Sequence, residues 1–217
     1  MALALFDLDN TLLDGDSDYL WGCFLAEHGI VDGETYEAEN QHFYDQYLDG
    51  SLDIHEFLRF QLKPLADHSR QQLDTWREEF LVSKIEPIML DKARELLDRH
   101  RAAGDELLII TATNRFITEP IAARYGVEHL LATEPEVHEG EYTGDFIGEP
   151  CFQSGKIKHL QRWLTTHNAT LDGSWFYSDS HNDLPLLEQV EYPVAVDPDD
   201  KLRALASERG WPVTSLR

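Results

Sequence analysis

The stretch "LALFDLDNTLLDGD", residues 3–16, opens as an unbroken apolar run and closes in a cluster of carboxylates. A short continuous run of this kind reads as a strand covered on both faces, the position of an inner strand in a parallel sheet. Asp7 and Asp9 stand where that strand runs out, and a charge there is costly unless something binds it. Residues two apart on a strand point to the same side. Where the strand breaks, the second can swing away, so the two acids can meet different environments and take different roles.

Four more apolar runs end in polar clusters: "ELLIITATN" (106–114), "HLLAT" (129–133), "SWFYSDS" (174–180) and "YPVAVDPD" (192–199). Helical patterns separate them, at 91–104, 118–126, 154–168 and 202–210. Strand and helix in alternation predict an α/β fold, a doubly wound parallel sheet whose ligands bind at the C-terminal ends of the strands. Residues 15–87 hold no comparable strand and read as helices at 18–29, 35–50, 51–62 and 70–85. The expected organisation is a core domain of residues 1–14 and 88–217, with a helical cap domain, 15–87, inserted after the first strand and lying over the strand ends. Residues 134–152 alternate with glycine turns and predict a β-hairpin.

Composition narrows the function classes. With 42% hydrophobic residues, the 217-residue chain can bury a core, while 41 acidic residues against 18 basic ones give a net charge of -23. That excess disfavours nucleic acid and anionic lipid as partners. "MALALF" is stopped by Asp7 too early for a signal peptide or a membrane span, so the expected location is the cytoplasm. Cys23 and Cys151 make no disulfide framework and have no metal-ligand spacing.

Four polar clusters carry chemistry. The first is Asp7-Leu8-Asp9-Asn10-Thr11. The second is Thr111, with Ala112 opening a turn whose backbone amides could cradle an anion. Lys156, near the start of a helix, is a point charge able to reach a phosphate. "SDSHNDLPLL" (178–187) supplies Asp179 and Asp183, hard oxygen donors suited to magnesium. Singly, each has a plainer reading as a turn, cap or surface residue; their joint order singles them out. Asp14, Asp18, Lys158, His159, His181 and the other histidines lack such a coincidence and read as surface or packing residues. Tyr36, Phe43, Tyr44, Tyr47 and Phe57 read as cap core, with a subset able to stack on a substrate ring.

"DLDNT", a threonine after an apolar strand, a lysine before an amphipathic helix and "SDSHND" resemble, in that order, the four motifs of the haloacid dehalogenase superfamily of hydrolases. The resemblance spans the chain, and the insertion is similar to the helical cap of the phosphoserine phosphatase subgroup. It implies that Asp7 is a nucleophile forming an aspartyl-phosphate and Asp9 a general acid and base. It implies Mg²⁺ held by the Asp7 carboxylate, the Asp9 backbone carbonyl and Asp179, with Asp183 and Asn182 nearby. Thr111, Ala112 and Lys156 would bind the phosphoryl group. Carbon–halogen cleavage is disfavoured, because that branch lacks the second aspartate.

The implied substrate is a small phosphorylated metabolite. Asp16 stands at the distance from Asp7 where the subgroup reads a substrate amine. Gln61 falls where an arginine would pair with a substrate carboxylate, and Arg59 lies two residues earlier, about 200° around a helix. Losing a bidentate carboxylate partner weakens recognition of phosphoserine. "TATNRF" lacks the subgroup's small turn, so Asn114 and Arg115 are expected to enter the site. An amine without a carboxylate fits best, with histidinol phosphate preferred over phosphoserine or a broad range of metabolites. A phosphotransferase would use the same motifs.

Overall fold

The computed structural model describes residues 2–217. The opening run forms β1 (Leu3–Phe6), buried along its whole length. It pairs in parallel with β2 (Glu106–Asn114) on one side and β5 (Trp175–Ser178) on the other. β2 pairs in parallel with β3 (His129–His138), which turns antiparallel to β4 (Glu141–Ile147). β5 continues in parallel to β6 (Tyr192–Val196) and then to β7 (Val213–Thr214). The order across the seven-stranded sheet is β4-β3-β2-β1-β5-β6-β7. The chain therefore builds outward on one side of β1 and then returns to the other. The switch between β1 and β5 is where a doubly wound sheet opens a crevice at its strand ends.

Alternation along the strands divides the core between the two faces of the sheet. Ala4, Phe6, Ile109, Leu130, Tyr177 and Val194 join one apolar cluster, while Leu3, Leu5, Leu108, Ile110, Phe176 and Ala195 join another. Helices α5 (Asp91–Ala103) and α6 (Arg115–Arg124) contribute to the first cluster. Helices α7 (Ser154–His167), α8 (Leu184–Leu187) and α9 (Asp200–Arg209) contribute to the second. Both cysteines are free, and Cys151 belongs to the second cluster.

Between β1 and β2 run α1 (Ser17–Glu27), α2 (Gly33–Asp49), α3 (Ile54–Ala66) and α4 (Arg70–Phe80), followed by a π-helical turn at Leu81–Ile85 and a 3-10 turn at Glu86–Ile88. The two ends of this insertion lie side by side: the Asp14 amide donates to the Ile88 carbonyl at 2.8 Å, and Leu13 bridges Met89. Its apolar residues merge with the first face of the sheet. Trp21 packs against Phe24, Phe80 and Phe116 at centroid distances of 5.6, 5.1 and 5.7 Å, Phe116 coming from α6. No helix among the described residues is long and apolar enough to cross a membrane.

Two elements differ from the sequence expectation. The run at 129–133 and the first arm of the expected hairpin form one continuous strand, because β3 projects beyond β2 and is paired there by β4. β7 has only two residues, both exposed, so no apolar run announces it.

Candidate active site

The site begins where β1 stops. After Phe6 the chain turns at Asn10, which takes φ +57°, a left-handed conformation that asparagine tolerates better than most residues. The turn is closed by the Leu12 amide on the Leu8 carbonyl and the Asn10 amide on the Gly15 carbonyl, both at 2.9 Å. The carboxylates of Asp7 and Asp9 diverge as a result. Asp7 Oδ1 accepts from Lys156 Nζ at 2.7 Å. Asp9 Oδ1 accepts from the Ser17 amide at 2.7 Å, and Asp9 Oδ2 from the hydroxyls of Thr113 and Thr111 at 2.9 and 3.3 Å.

β2 delivers the threonines. Its register against β3 shifts between Ile110 and Asn114, so the strand runs past Thr111 through a bulge instead of ending in an open turn. The Thr113 amide donates to Thr111 Oγ1 at 3.2 Å, and Thr133 Oγ1 holds the Ala112 carbonyl at 3.0 Å. Asn114 is buried but does not line the cleft, and Arg115 turns away to Glu134 and the Leu130 carbonyl at 2.7 and 3.0 Å. The expectation that these two enter the site is therefore corrected. The bulge points Thr113 inward while Asn114 starts α6.

Lys156 is positioned by a close approach of backbone. A Cβ at Gly155 would lie 1.9 Å from the Pro150 carbonyl oxygen, so only glycine lets α7 start here. Lys156 is 3% exposed and donates to both oxygens of Asp183, at 2.7 and 2.8 Å, as well as to Asp7. Ser178 Oγ donates to Asp183 at 2.7 Å. Asn182 ties the loop to the insertion, donating to the Tyr47 carbonyl at 3.1 Å and accepting from Gln153 at 3.0 Å. Asp179 sits beside Thr11, whose hydroxyl donates to it at 3.0 Å.

Electrostatics follow from packing many acids around one cation. Burial pushes the Asp7 carboxyl up to about 7, with Lys156 opposing the rise and Asp183 adding to it. Asp16 is also raised to about 7, by burial and then by Asp9. Asp179 lies well above the carboxylate range through burial and the charge of Asp7. Burial alone would lower Lys156, but Asp183 and Asp7 outweigh it and raise it.

Among the described residues, no group of three or more His, Cys, Asp or Glu side chains forms a metal cage. Magnesium asks for less, taking one or two carboxylates together with waters and substrate phosphate. Asp7 and Asp179 fit that need: both are hard oxygen donors, and the charge of Asp7 raises the Asp179 carboxyl, a repulsion that a bound cation would relieve.

Above the strand ends the insertion covers a cleft lined from the core by Asp7, Asp9, Thr111, Ala112, Thr113, Lys156, Asn182 and Asp183. From the insertion come Asp16, Asp18, Asn40, Gln61 and an aromatic wall of Tyr19, Phe43, Tyr44, Tyr47 and Phe57. Lys156 is the one lysine or arginine lining it among the described residues. Arg59 is exposed and outside the cleft, which corrects its place among the candidate substrate contacts: the helical rotation that buries Gln61 turns Arg59 to solvent. Tyr36 stands behind the wall, its hydroxyl on Gln61 Oε1 at 3.3 Å. Asp18, expected as a surface or packing residue, is 4% exposed and faces the cleft. His181 bonds Asp199 at 2.8 Å, outside the cleft lining.

Sequence reasoning missed Thr113, Asp18 and Asn40. Thr113 was readable, because it lies two residues from Thr111 and so on the same side of a strand. Asp18 repeats the spacing of Asp16 but is one acid among many, and nothing local marks Asn40.

Comparison with known proteins agrees with this architecture. A haloacid dehalogenase-like hydrolase domain is matched over residues 4–188. The chain is 44% identical to a histidinol-phosphatase of Neisseria meningitidis serogroup C (strain 8013), over 99% of each chain. It is 33% identical to a phosphoserine phosphatase of Mycobacterium tuberculosis (strain ATCC 25618 / H37Rv), covering 100% of this chain and 71% of that one. A crystal structure of a protein of unknown function from Bordetella pertussis Tohama I superposes with a TM-score of 0.94 at 44% identity, covering 100% and 99% of the two chains. With its four motifs gathered at the ends of the central strands of a doubly wound sheet, the chain belongs to the haloacid dehalogenase-like hydrolases.

Proposed function

We propose that this chain is a magnesium-dependent phosphomonoesterase that acts through an aspartyl-phosphate on a small phosphorylated amino alcohol, best matched by histidinol phosphate. Residues 15–87 serve as the cap domain over a core of residues 1–14 and 88–217. The observation that carries the reading is the divergence of the two aspartates: Asp7 on Lys156, Asp9 on an amide and two hydroxyls.

In this reading an oxygen of Asp7 attacks phosphorus, forming the acyl-phosphate bond as the ester P–O bond breaks, and Asp9 gives its proton to the departing alkoxide. Asp9 then takes a proton from water as that water attacks the same phosphorus and frees Asp7. Splitting the displacement into two steps lowers each barrier. Thr111, Ala112 and Lys156 hold phosphoryl oxygens, and Asp183 keeps Lys156 pointing at Asp7. Bound magnesium, held by Asp7, the Asp9 carbonyl and Asp179, supplies positive charge against the phosphoryl oxygens. The protein's own fields repel anions, which makes that charge and Lys156 the means of admitting the phosphate.

Two observations favour an amine-bearing substrate without a carboxylate. The relative at 44% identity is named for histidinol phosphate hydrolysis. The cleft offers Asp16 and Asp18 to a cation, while a substrate carboxylate would find no second lysine or arginine lining the cleft among the described residues. Phosphoserine is the second reading, favoured by the relative at 33% identity. The deciding measurement is kcat/KM on histidinol phosphate and phosphoserine, each with Mg²⁺ and with EDTA. Turnover with Mg²⁺, its loss with EDTA and a preference for histidinol phosphate are expected. A clear preference for phosphoserine overturns the substrate, and undiminished hydrolysis by Asp7→Asn overturns the mechanism.

A further inference from the structure

The first turn of α1 carries an unanswered carboxylate. Asp18 is 4% exposed and lines the cleft, yet its Oδ1 has no hydrogen-bond partner among the described residues. A buried carboxylate oxygen without a donor is costly, and such groups are rare in folded proteins unless something else completes them.

The neighbouring side chains are committed elsewhere. Gln61 Nε2 donates to the backbone carbonyl of Asp18 at 3.4 Å and to Asn40 Oδ1 at 3.2 Å, while its Oε1 accepts from Tyr36. Asn40 Nδ2 donates to the Tyr19 carbonyl at 3.0 Å. This network fixes α1, α2 and α3 around Asp18, which lines the cleft with its Oδ1 left without a donor from the protein among the described residues. Gln61 is therefore a positioning residue, its donors and acceptor already used within the protein.

Asp16 and Asp18 also differ in what they have left to offer. Asp16 caps α1, its Oδ1 accepting from the Tyr19 amide at 2.8 Å, at the rim where the insertion meets β1. Asp18 is the more buried of the two, and aromatic side chains line the same cleft: Phe43 and Phe57 meet edge to face at 5.5 Å, and Tyr19 and Tyr44 lie 5.0 Å apart. A cleft that combines flat apolar side chains with an unpartnered acceptor suits a planar ring that carries an N–H.

We propose that Asp18 is a specificity-determining residue that accepts a hydrogen bond from a ring N–H of the substrate, selecting phosphate esters with a nitrogen heteroaromatic ring over those with an aliphatic side chain. The inference rests on the phosphomonoesterase reading above and deepens it, assigning the amine to Asp16 and the ring to Asp18. Histidinol phosphate carries both groups.

The test compares histidinol phosphate with leucinol phosphate, which keeps the amine and the ester and replaces the imidazole by a branched hydrocarbon. With the full-length protein and Mg²⁺, the ratio of their kcat/KM values is measured for the wild type and Asp18→Leu, which keeps the shape and removes both oxygens. Leaving the ring N–H buried without an acceptor should lower the ratio by about ten- to a hundredfold, chiefly through KM for histidinol phosphate. A ratio within about twofold of the wild type, a difference worth far less than such a bond, overturns the inference whatever the absolute loss. Should Asp18→Leu not fold, inhibition of the wild type by L-histidinol and L-leucinol decides: histidinol should bind at least about tenfold more tightly, and equal inhibition constants overturn the inference. The two failures are distinguishable. A wild type that hydrolyses phosphoserine and ignores both amino alcohol esters defeats the substrate reading and this inference together. A preference for histidinol phosphate that Asp18→Leu leaves unmoved defeats the inference alone.

Discussion

Replacing Lys156 by methionine keeps most of the side-chain stem and removes the charge between Asp7 and Asp183. At 2.7 and 2.8 Å, and with an effective dielectric of about 20, each pair is worth about 6 kcal/mol in Coulomb energy. Keeping the ammonium out of water costs several kcal/mol, and a carboxyl left alone takes up a proton, so the net loss on breaking a buried pair is about 3–5 kcal/mol. In a chain of this size that lowers Tm by about 6–20 °C. The assay is thermal unfolding of the metal-free protein at pH 7.5 and pH 5. The folded Asp7 carboxyl is raised from 3.8 to about 7. Its contribution to stability is therefore fully present below 3.8 and is lost as pH rises through about 7. At pH 5 Asp7 is protonated in the folded wild type, the attraction to Lys156 is absent there too, and the variant should differ only by the share of Asp183. A drop below about 3 °C at pH 7.5, or an equal drop at pH 5, would refute Lys156 as the counter-charge of Asp7.

Four smaller perturbations separate positioning from bulk stability. Thr113→Val removes the 2.9 Å hydrogen bond to Asp9 with little change of shape, and kcat should fall about tenfold while Tm moves little. Gly155→Ala puts a methyl into the Pro150 carbonyl; the start of α7 must shift, with a destabilisation above about 3 kcal/mol in denaturant titration. Arg59→Ala should leave Tm and kcat/KM close to wild type, since the side chain is exposed and outside the cleft, whereas Gln61→Leu should raise KM by freeing Asn40 and the Asp18 carbonyl.

The parts of the fold that were legible are those in which burial is written as a run of apolar residues. β1 is buried on both faces and reads as "LALF" without interruption, and β2, β5 and β6 announce themselves the same way. β7 draws its place from the edge of β6 and has two exposed residues, so no local hydrophobic signal exists. The end of β3 and the whole of β4 are half exposed, and β4 packs on α3, where a Cβ at Gly144 (φ +85°) would lie 3.1 Å from the Ala66 side chain. The candidate site divides similarly. Asp7, Asp9, Thr111 and Lys156 stand at strand or helix ends that the pattern marks. Asp18 acquires its meaning only when α2 and α3 fold over it, and Arg59 loses its candidacy for the same reason.

The central position of β1 has a consequence for biosynthesis. Leu3 pairs with Glu106 and Ala4 with Trp175, so β1 leaves the ribosome long before either neighbour and is among the last strands to find both. Contacts this distant in sequence form late, because their loop-closure cost precedes their reward. Until β5 emerges, one edge of an entirely apolar strand stays open, the kind of edge that recruits other chains. A chain interrupted shortly before Trp175 would carry Asp7, Asp9, Thr111 and Lys156 complete and still lack the strand that holds Asp7, whose amide is bonded to the Tyr177 carbonyl at 2.9 Å. Such a fragment should be aggregation-prone and inactive, and helper proteins that shield nascent chains should matter most between the emergence of β2 and that of β5.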